Sequence, residues 1–342
     1  MSIPVVPLVV ATALFMETMD SSLIATALPT IARDLGVDPV ALKLAVTSYL
    51  VSLAILIPVS GWIADRIGAC TTFRIALAVF MAASIGCSTA STLAELVVWR
   101  FLQGMGGALM VPVGRLVIVR AIPKGELVRA MSFLTMPSLL GPLTGPPLAG
   151  FLATYADWRW IFLVNVPVGL AGIVLATLYI DDERRECRPL DAKGFALASV
   201  ALPGLVLGAA LLGRHVAPTW VAVLVLATGL AAAVLYVRHA RSTPQPLLDL
   251  SLLRVPTFDA GVLGGALFRM GIGASAFLIP LMLQLGFGLD PMTSGLVTLA
   301  GALGAFGMKS MAPALIRRLG FRHILVWNGL LAAAALASTA LV

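Results

Sequence analysis

Residues 4–28 read PVVPLVVATALFMETMDSSLIATAL, a run long enough to cross the ~30 Å hydrocarbon core of a bilayer as one helix. Two carboxylates, Glu17 and Asp20, lie inside this run. A charge at such a depth costs about 2.5–3.5 kcal/mol, so charged residues inside spans are rare and mark ion or proton pathways. This segment therefore predicts a membrane protein through which protons or ions move.

The composition supports the same class. The 342-residue chain is 60% hydrophobic and 11% charged, whereas about 25% of residues are charged in soluble domains. Its formal charge of +7 is spread singly over short connections, without the basic patch that nucleic acid requires. We predict an all-α polytopic membrane protein with the lipid bilayer, and no nucleic acid, as a partner.

Eleven apolar segments are predicted. They cover residues 4–28, 42–64, 73–91, 96–119, 130–155, 160–180, 194–212, 219–236, 258–285, 292–316 and 324 onward. Loops on one side hold fifteen Lys and Arg and those on the other hold four, which places the N-terminus in the cytoplasm. The last segment reaches Val342 without a polar flank, so we expect a chain cut within a helix; a natural odd-numbered topology is the alternative.

A weak internal repeat predicts the domain organisation. ADRIG at residues 64–68 returns in altered form as IRRLG at residues 316–320, on the same predicted side of the membrane. Parallel repeats of this kind occur in two-halved secondary transporters. We predict a six-helix bundle in residues 1–180, two inserted helices with cytoplasmic linkers in 181–257, and a partial second bundle in 258–342.

Depth along the helices selects proton-coupling candidates. Asp20 lies about 12 Å from the predicted outer end of its segment at Leu28, and Arg100 lies about 6 Å inside the fourth segment. Both fall in the same outer third of the membrane, where a cation can switch a carboxylate between protonated and ionised states. Glu17 lies one turn deeper on the same face as Asp20. A permanent structural ion pair is the alternative.

Four motifs in chain order resemble the major facilitator superfamily, and in particular its fourteen-helix drug:proton antiporter branch. They lie at residues 19–29, at GWIADRIG in residues 61–68, at Leu96 with Arg100, Gln103, Gly104 and Gly106, and at GPLTGPPLAG in residues 141–150. WRWIF at 158–162 and NVP at 165–167 are also similar to this branch. The resemblance implies a major facilitator fold with two extra central helices.

The resemblance also implies roles for individual residues. The cytoplasmic gating loop would contain Gly61, Asp65, Arg66 and Gly68. The antiporter motif would contain Gly141, Pro142, Gly145, Pro146 and Gly150. Candidates for the substrate cavity are Glu17, Gln103, Arg115 and Arg269, although Arg115 and Arg269 can instead extend to the membrane surface.

The expected function is export of small lipophilic or amphipathic drugs across the bacterial inner membrane, driven by protons. Alternatives are a proton-coupled exporter of one metabolite, or a truncated remnant that does not transport. No H-E-x-x-H or G-x-S-x-G motif is present, so we expect no enzyme. The scattered His and Cys residues predict no metal site. We expect no cofactor beyond the proton gradient, and no accessory efflux protein is identified.

Overall fold

A computed structural model describes residues 5–182, 189–212 and 218–338. Long helices account for nearly all of these residues, and no strand occurs among them. The helices are α1 (Val5–Asp34), α2 (Lys43–Leu56), α3 (Ser60–Ile67), α4 (Ala69–Thr89), α5 (Leu93–Ala121), α6 (Leu127–Tyr155), α7 (Trp160–Leu163), α8 (Asn165–Tyr179), α9 (Ala192–Leu212), α10 (Thr219–Ser242), α11 (Pro256–Leu281), α12 (Pro291–Leu319) and α13 (Phe321–Ser338). Nine spans in the described ranges are long and apolar enough to cross a membrane. The predicted all-α polytopic membrane fold is confirmed.

Proline interrupts two of the eleven predicted segments. The second segment is α2 and α3 joined by a 3-10 turn at Ile57–Val59, where Pro58 provides no N–H for the helix. The sixth is α7 and α8, separated at Val164. Pro167 explains that break, because its ring opposes the carbonyl four residues earlier, at Leu163, where α7 ends.

Helices α1 to α8 form one bundle around two apolar cores. In this bundle α1 packs most extensively against α6, and α5 packs against both α2 and α4. One core contains Met16, Phe73 and Phe80, and the other contains Leu23 and Phe162. The two cores include consecutive segments of α1, so the middle of α1 lies between two apolar clusters.

The inner end of the bundle is defined here as the end that carries residues 61–68, and the outer end as the opposite one. Gln284 connects the bundle to the second half of the chain at the outer end. It lies in the π-helical turn Met282–Gly286, and its Nε2 donates to the carbonyl oxygen of Thr26 in α1 at 2.9 Å. It also donates to Ser294 Oγ of α12 at 3.3 Å.

Helices α9 and α10, which were predicted to be inserted between two bundles, pack closely against each other, and α9 also packs against α2. Their closest approach is at Gly204 and Gly229: a Cβ built on Gly229 would lie 2.7 Å from the carbonyl carbon of Gly204. Small residues at such crossings let helix backbones meet within the membrane. The two helices therefore form one hairpin beside the first bundle.

We predict that Gly229→Leu destabilises the protein, because overpacking a close contact costs about 1–3 kcal/mol. Gly264→Leu is the matched control, since a Cβ at Gly264 has open space around it. Thermal unfolding in detergent should show a clearly lower midpoint for Gly229→Leu than for Gly264→Leu. Equal midpoints would contradict the close hairpin.

Candidate functional site

A buried polar cluster surrounds Asp20. Arg100 Nη1 donates to Asp20 Oδ2 at 2.6 Å, and both side chains are almost fully buried. Gln103 Nε2 and Asn165 Nδ2 each donate to Asp20 Oδ1 at 2.9 Å. Gln103 Nε2 also donates to Ser84 Oγ at 2.8 Å. We call these five residues the Asp20 cluster; α1, α4, α5 and α8 each contribute to it.

The position of Asp20 along its helix corrects the sequence prediction. Helix α1 ends at Asp34, six residues beyond the predicted end at Leu28, so Asp20 lies about 21 Å from the outer end of the helix. It is thus near the middle of α1. Arg100 nevertheless reaches it, because α5 also begins earlier than predicted, at Leu93.

Arg100 has two further neighbours, both uncharged, that interact with its guanidinium. Gln103 Oε1 accepts a hydrogen bond from Arg100 Nη1 at 2.6 Å, and the guanidinium lies 4.5 Å from the centre of the Tyr49 ring. A cation over an aromatic face is attracted by the ring, more strongly when water is excluded. Gln103, which was predicted as a candidate cavity residue, is fully buried in this structure and belongs to the Asp20 cluster.

A second group of polar side chains lies toward the inner end. Glu17 is half-buried, and its electrostatic neighbours are Asp20, Arg115 and Tyr49. Arg115 is exposed, and its positive charge is near enough to act electrostatically on Glu17. Arg269 is exposed on α11 and forms no ion pair with the described residues. Glu17 and Arg115 are thus electrostatic neighbours, and Arg269 is not among the neighbours of Glu17.

The predicted gating loop makes contacts at the inner end. Asp65 forms an ion pair with Arg120, close to the end of α5. The guanidinium of Arg66 lies 5.2 Å from the centre of the Trp62 ring. A Cβ at Gly61 would have open space around it, so no close contact explains this glycine.

Asp182 is a partner of this loop that sequence reasoning missed. Its carboxylate accepts from Thr71 N at 3.2 Å and from Thr71 Oγ1 at 2.5 Å, in the first turn of α4. Gly68, with φ +101°, leaves the room for it, because a Cβ there would overlap the Asp182 carboxylate. Helix N-termini have unpaired N–H groups that favour an anion. Asp182 therefore fixes the end of α8 to the start of α4.

The first glycines of the predicted antiporter motif bring α6 against α1. A Cβ built on Gly141 would lie 2.7 Å from Met19 N, and one on Gly145 would lie 2.6 Å from Ser22 Cβ. These contacts lie on either side of Asp20 along α1. The motif thus packs against the part of α1 that carries the buried carboxylate.

The later residues of the motif face α12 at the outer end. A Cβ on Gly150 would lie 2.6 Å from the carbonyl oxygen of Pro291, and Gly295 of α12 meets the carbonyl of Pro146. Pro146 is buried, whereas Pro142 is exposed. The motif therefore connects the first bundle with the second half of the chain.

Comparison with known proteins identifies the family. Residues 10–342 match the Major Facilitator Superfamily. The chain belongs to this superfamily. Curated relatives include "Putative multidrug resistance protein MdtD" of Klebsiella pneumoniae, 40% identical over 319 residues, and the protein of that name from Citrobacter koseri, 39% identical over 319 residues. Each comparison covers 93% of this chain and 68% of the relative.

Solved structures show the same fold at low sequence identity. The peptide transporter POT in complex with sulfate has a TM-score of 0.66 at 17% identity, covering 92% of this chain and 69% of that one. The D-xylose-proton symporter has a TM-score of 0.60 at 16% identity, with the same coverage. The chain is therefore a transporter of the major facilitator fold and not an enzyme.

The contact of Asp182 with α4 generates a prediction for acid stability. Burial alone would raise the pKa of Asp182, but hydrogen bonds from Thr71 and the charge of Arg74 hold the pKa below its usual value. A lowered folded-state pKa stabilises the protein above the unfolded pKa of about 3.9, and this is lost as pH falls through the folded value. Asp182→Asn should therefore be less stable near neutral pH and lose less stability on acidification.

Chemical unfolding of the detergent-solubilised protein, followed by tryptophan fluorescence from neutral to acidic pH, measures this difference. Asp38→Asn is the control, because Asp38 is exposed and its carboxylate accepts a local hydrogen bond from Val40 N. If Asp182→Asn and Asp38→Asn show the same pH dependence as the unaltered protein, Asp182 does not stabilise this junction.

Proposed function

We propose that this transporter exports hydrophobic or amphipathic compounds across the bacterial inner membrane in exchange for protons, by alternating access. The observation that carries the proposal is the buried Asp20 cluster. Asp20 is an ionisable carboxylate in the middle of a helix, and Arg100 compensates its charge at 2.6 Å. Buried ionisable groups inside membrane spans mark proton and ion pathways.

Proton binding at Asp20 would change the energy of the whole cluster. Neutral Asp20 no longer compensates Arg100, and an unpaired buried charge costs about 3–5 kcal/mol. A conformation of the bundle in which Arg100 reaches a new hydrogen-bond acceptor or water would then be favoured. Proton binding would therefore shift the populations of the two conformations. Glu17, one turn toward the inner end, is the acidic side chain placed to take part in this exchange.

Two observations support amphipathic substrates. The MdtD relatives carry a multidrug resistance name. Glu17 and Arg115 lie near one another, the one half-buried and the other exposed, among apolar helices. A site with both charges on an apolar wall can accept compounds with a polar and a lipophilic part.

We predict that Asp20→Asn remains folded and loses substrate-induced proton release, because the amide keeps the shape of the side chain but cannot carry the proton. The measurement uses purified protein in weakly buffered detergent, with a pH-sensitive dye and a lipophilic cation as substrate. Asp38→Asn should release protons as the unaltered protein does. Proton release by Asp20→Asn at the unaltered level would exclude Asp20 as the proton site.

A second prediction concerns the seal between α1 and α6. Gly145→Leu should separate the two helices next to Ser22, because the new side chain has no space there. In proteoliposomes this variant should either leak protons or lose substrate-dependent proton movement, whereas Gly264→Leu should do neither. If Gly145→Leu proteoliposomes do not leak protons and keep normal substrate-dependent proton movement, this contact does not seal the outer end.

A further inference from the structure

Asn165 has one hydrogen-bonding end in use and one end free. Its Nδ2 donates to Asp20 Oδ1 at 2.9 Å and lies 3.5 Å from Ser84 Oγ. Its Oδ1 is buried and has no hydrogen-bond partner within the described part of the chain. An unpaired buried carbonyl costs about 1–3 kcal/mol, so a partner in another state of the protein would explain its presence.

The other amide of the cluster is fixed in its orientation. Gln103 Oε1 accepts from Arg100 Nη1 at 2.6 Å and faces Cys87 Sγ at 3.7 Å, while Nε2 donates to both Asp20 and Ser84. Turning this amide around would put its NH₂ group against the Arg100 guanidinium. Asn165 has no such neighbour on its carbonyl, so it is the amide of the cluster that can reverse.

We infer that Asn165 is a reversible hydrogen-bond partner of Asp20, which donates to the ionised carboxylate and accepts from the protonated one. A half-turn about the Cβ–Cγ bond exchanges Nδ2 and Oδ1, which brings the carbonyl oxygen to the 2.9 Å position beside Asp20 Oδ1. There it accepts the new O–H bond, formed when a proton from water adds to the carboxylate. The Ser84 hydroxyl is placed to donate to the same oxygen.

The reversal provides a hydrogen-bond acceptor for protonated Asp20, which the other residues that donate to Asp20 cannot provide. Ionised Asp20 receives three hydrogen bonds, from Arg100, Gln103 and Asn165, and needs only donors. Neutral Asp20 needs an acceptor, because a carboxylic acid donates its own proton. Arg100 has no acceptor, and the carbonyl of Gln103 is occupied. Asn165 therefore allows the site to be occupied by a proton without leaving a buried O–H group unpaired.

Asn165 is a positioning residue for the proposed proton site, and this inference rests on the proposed function. Other groups near Asp20 also respond to pH. Those that face it from the described parts of α1, α2, α4 and α5 are Glu17, Tyr49, Cys87 and Arg100. A pH profile of transport would combine all of them, so the test needs a signal from Asn165 itself.

The chain contains only two asparagines, Asn165 and Asn328, which makes such a signal accessible. The full protein, with ¹³C in its asparagine side-chain carbonyls and held in lipid nanodiscs, is studied by infrared difference spectroscopy between alkaline and acidic pH. Asn328→Leu leaves Asn165 as the single labelled residue and is the matched control, because Asn328 is exposed. We expect the labelled carbonyl band to move to lower wavenumber on acidification, as its oxygen gains a hydrogen bond.

Two variants assign the signal. Asn165→Leu should remove the labelled band, and Asp20→Ala should leave the band present but insensitive to pH. Alanine is used because Asp20→Asn would add another labelled asparagine. The main measurement needs no substitution at Asn165, so a variant that fails to fold does not prevent the test.

Two results would overturn the inference, and they are distinguishable. If the carboxylic-acid band of Asp20 titrates while the Asn165 carbonyl stays unchanged, Asn165 does not reverse and the proposed proton site stands. If no carboxylic-acid band depends on Asp20 at any pH, both the reversal and the proposed proton coupling at Asp20 are wrong.

Discussion

The ion pair between Asp20 and Arg100 is the constraint on which the first bundle depends. Each charge lies between two apolar cores, where desolvation costs several kcal/mol per ion unless attraction and hydrogen bonds compensate it. Compensation requires α1, α4, α5 and α8 to meet at one level, because each contributes a polar side chain there. The fold must therefore hold four helices in register around a group that apolar packing alone would exclude.

Glycines in α5 make this register possible. A Cβ on Gly104 would lie 2.6 Å from the carbonyl oxygen of Tyr49 in α2, and one on Gly106 would lie 2.7 Å from that of Ala76 in α4. Helix α5 thus passes between α2 and α4 at backbone contact, one turn from Arg100. The arginine and the glycines of this motif therefore act together. Buried Arg100 needs polar groups from neighbouring helices within hydrogen-bond distance, and the glycines let those helices approach closely enough.

Hydropathy predicted every long helix, since the bilayer imposes length and apolarity on each span. The proximity of Asp20 and Arg100 was also predictable, because two buried opposite charges require each other. The end of α1 was predicted six residues too early, because α1 continues through the polar residues before Asp34, which hydropathy does not count as span. The contacts of Asn165 and Asp182 could not be predicted, since they join residues 145 and 111 positions apart and no local pattern in one sequence reports such pairs.

The choice of arginine in this pair determines which partner can change charge. A guanidinium stays protonated in proteins, so under the proposed coupling Asp20 is the member of this pair that takes up or releases a proton. Proton binding then leaves the cluster with one uncompensated positive charge between two dry cores, a state that packing cannot relieve locally. Because α6 touches α1 on both sides of Asp20, through Gly141 and Gly145, any movement of α1 that relieves this charge must also disturb the helix contact that leads to α12 at the outer end. Under the proposed coupling, a change of charge at Asp20 is thus linked through the α1–α6 contact to the contact between the two halves of the chain.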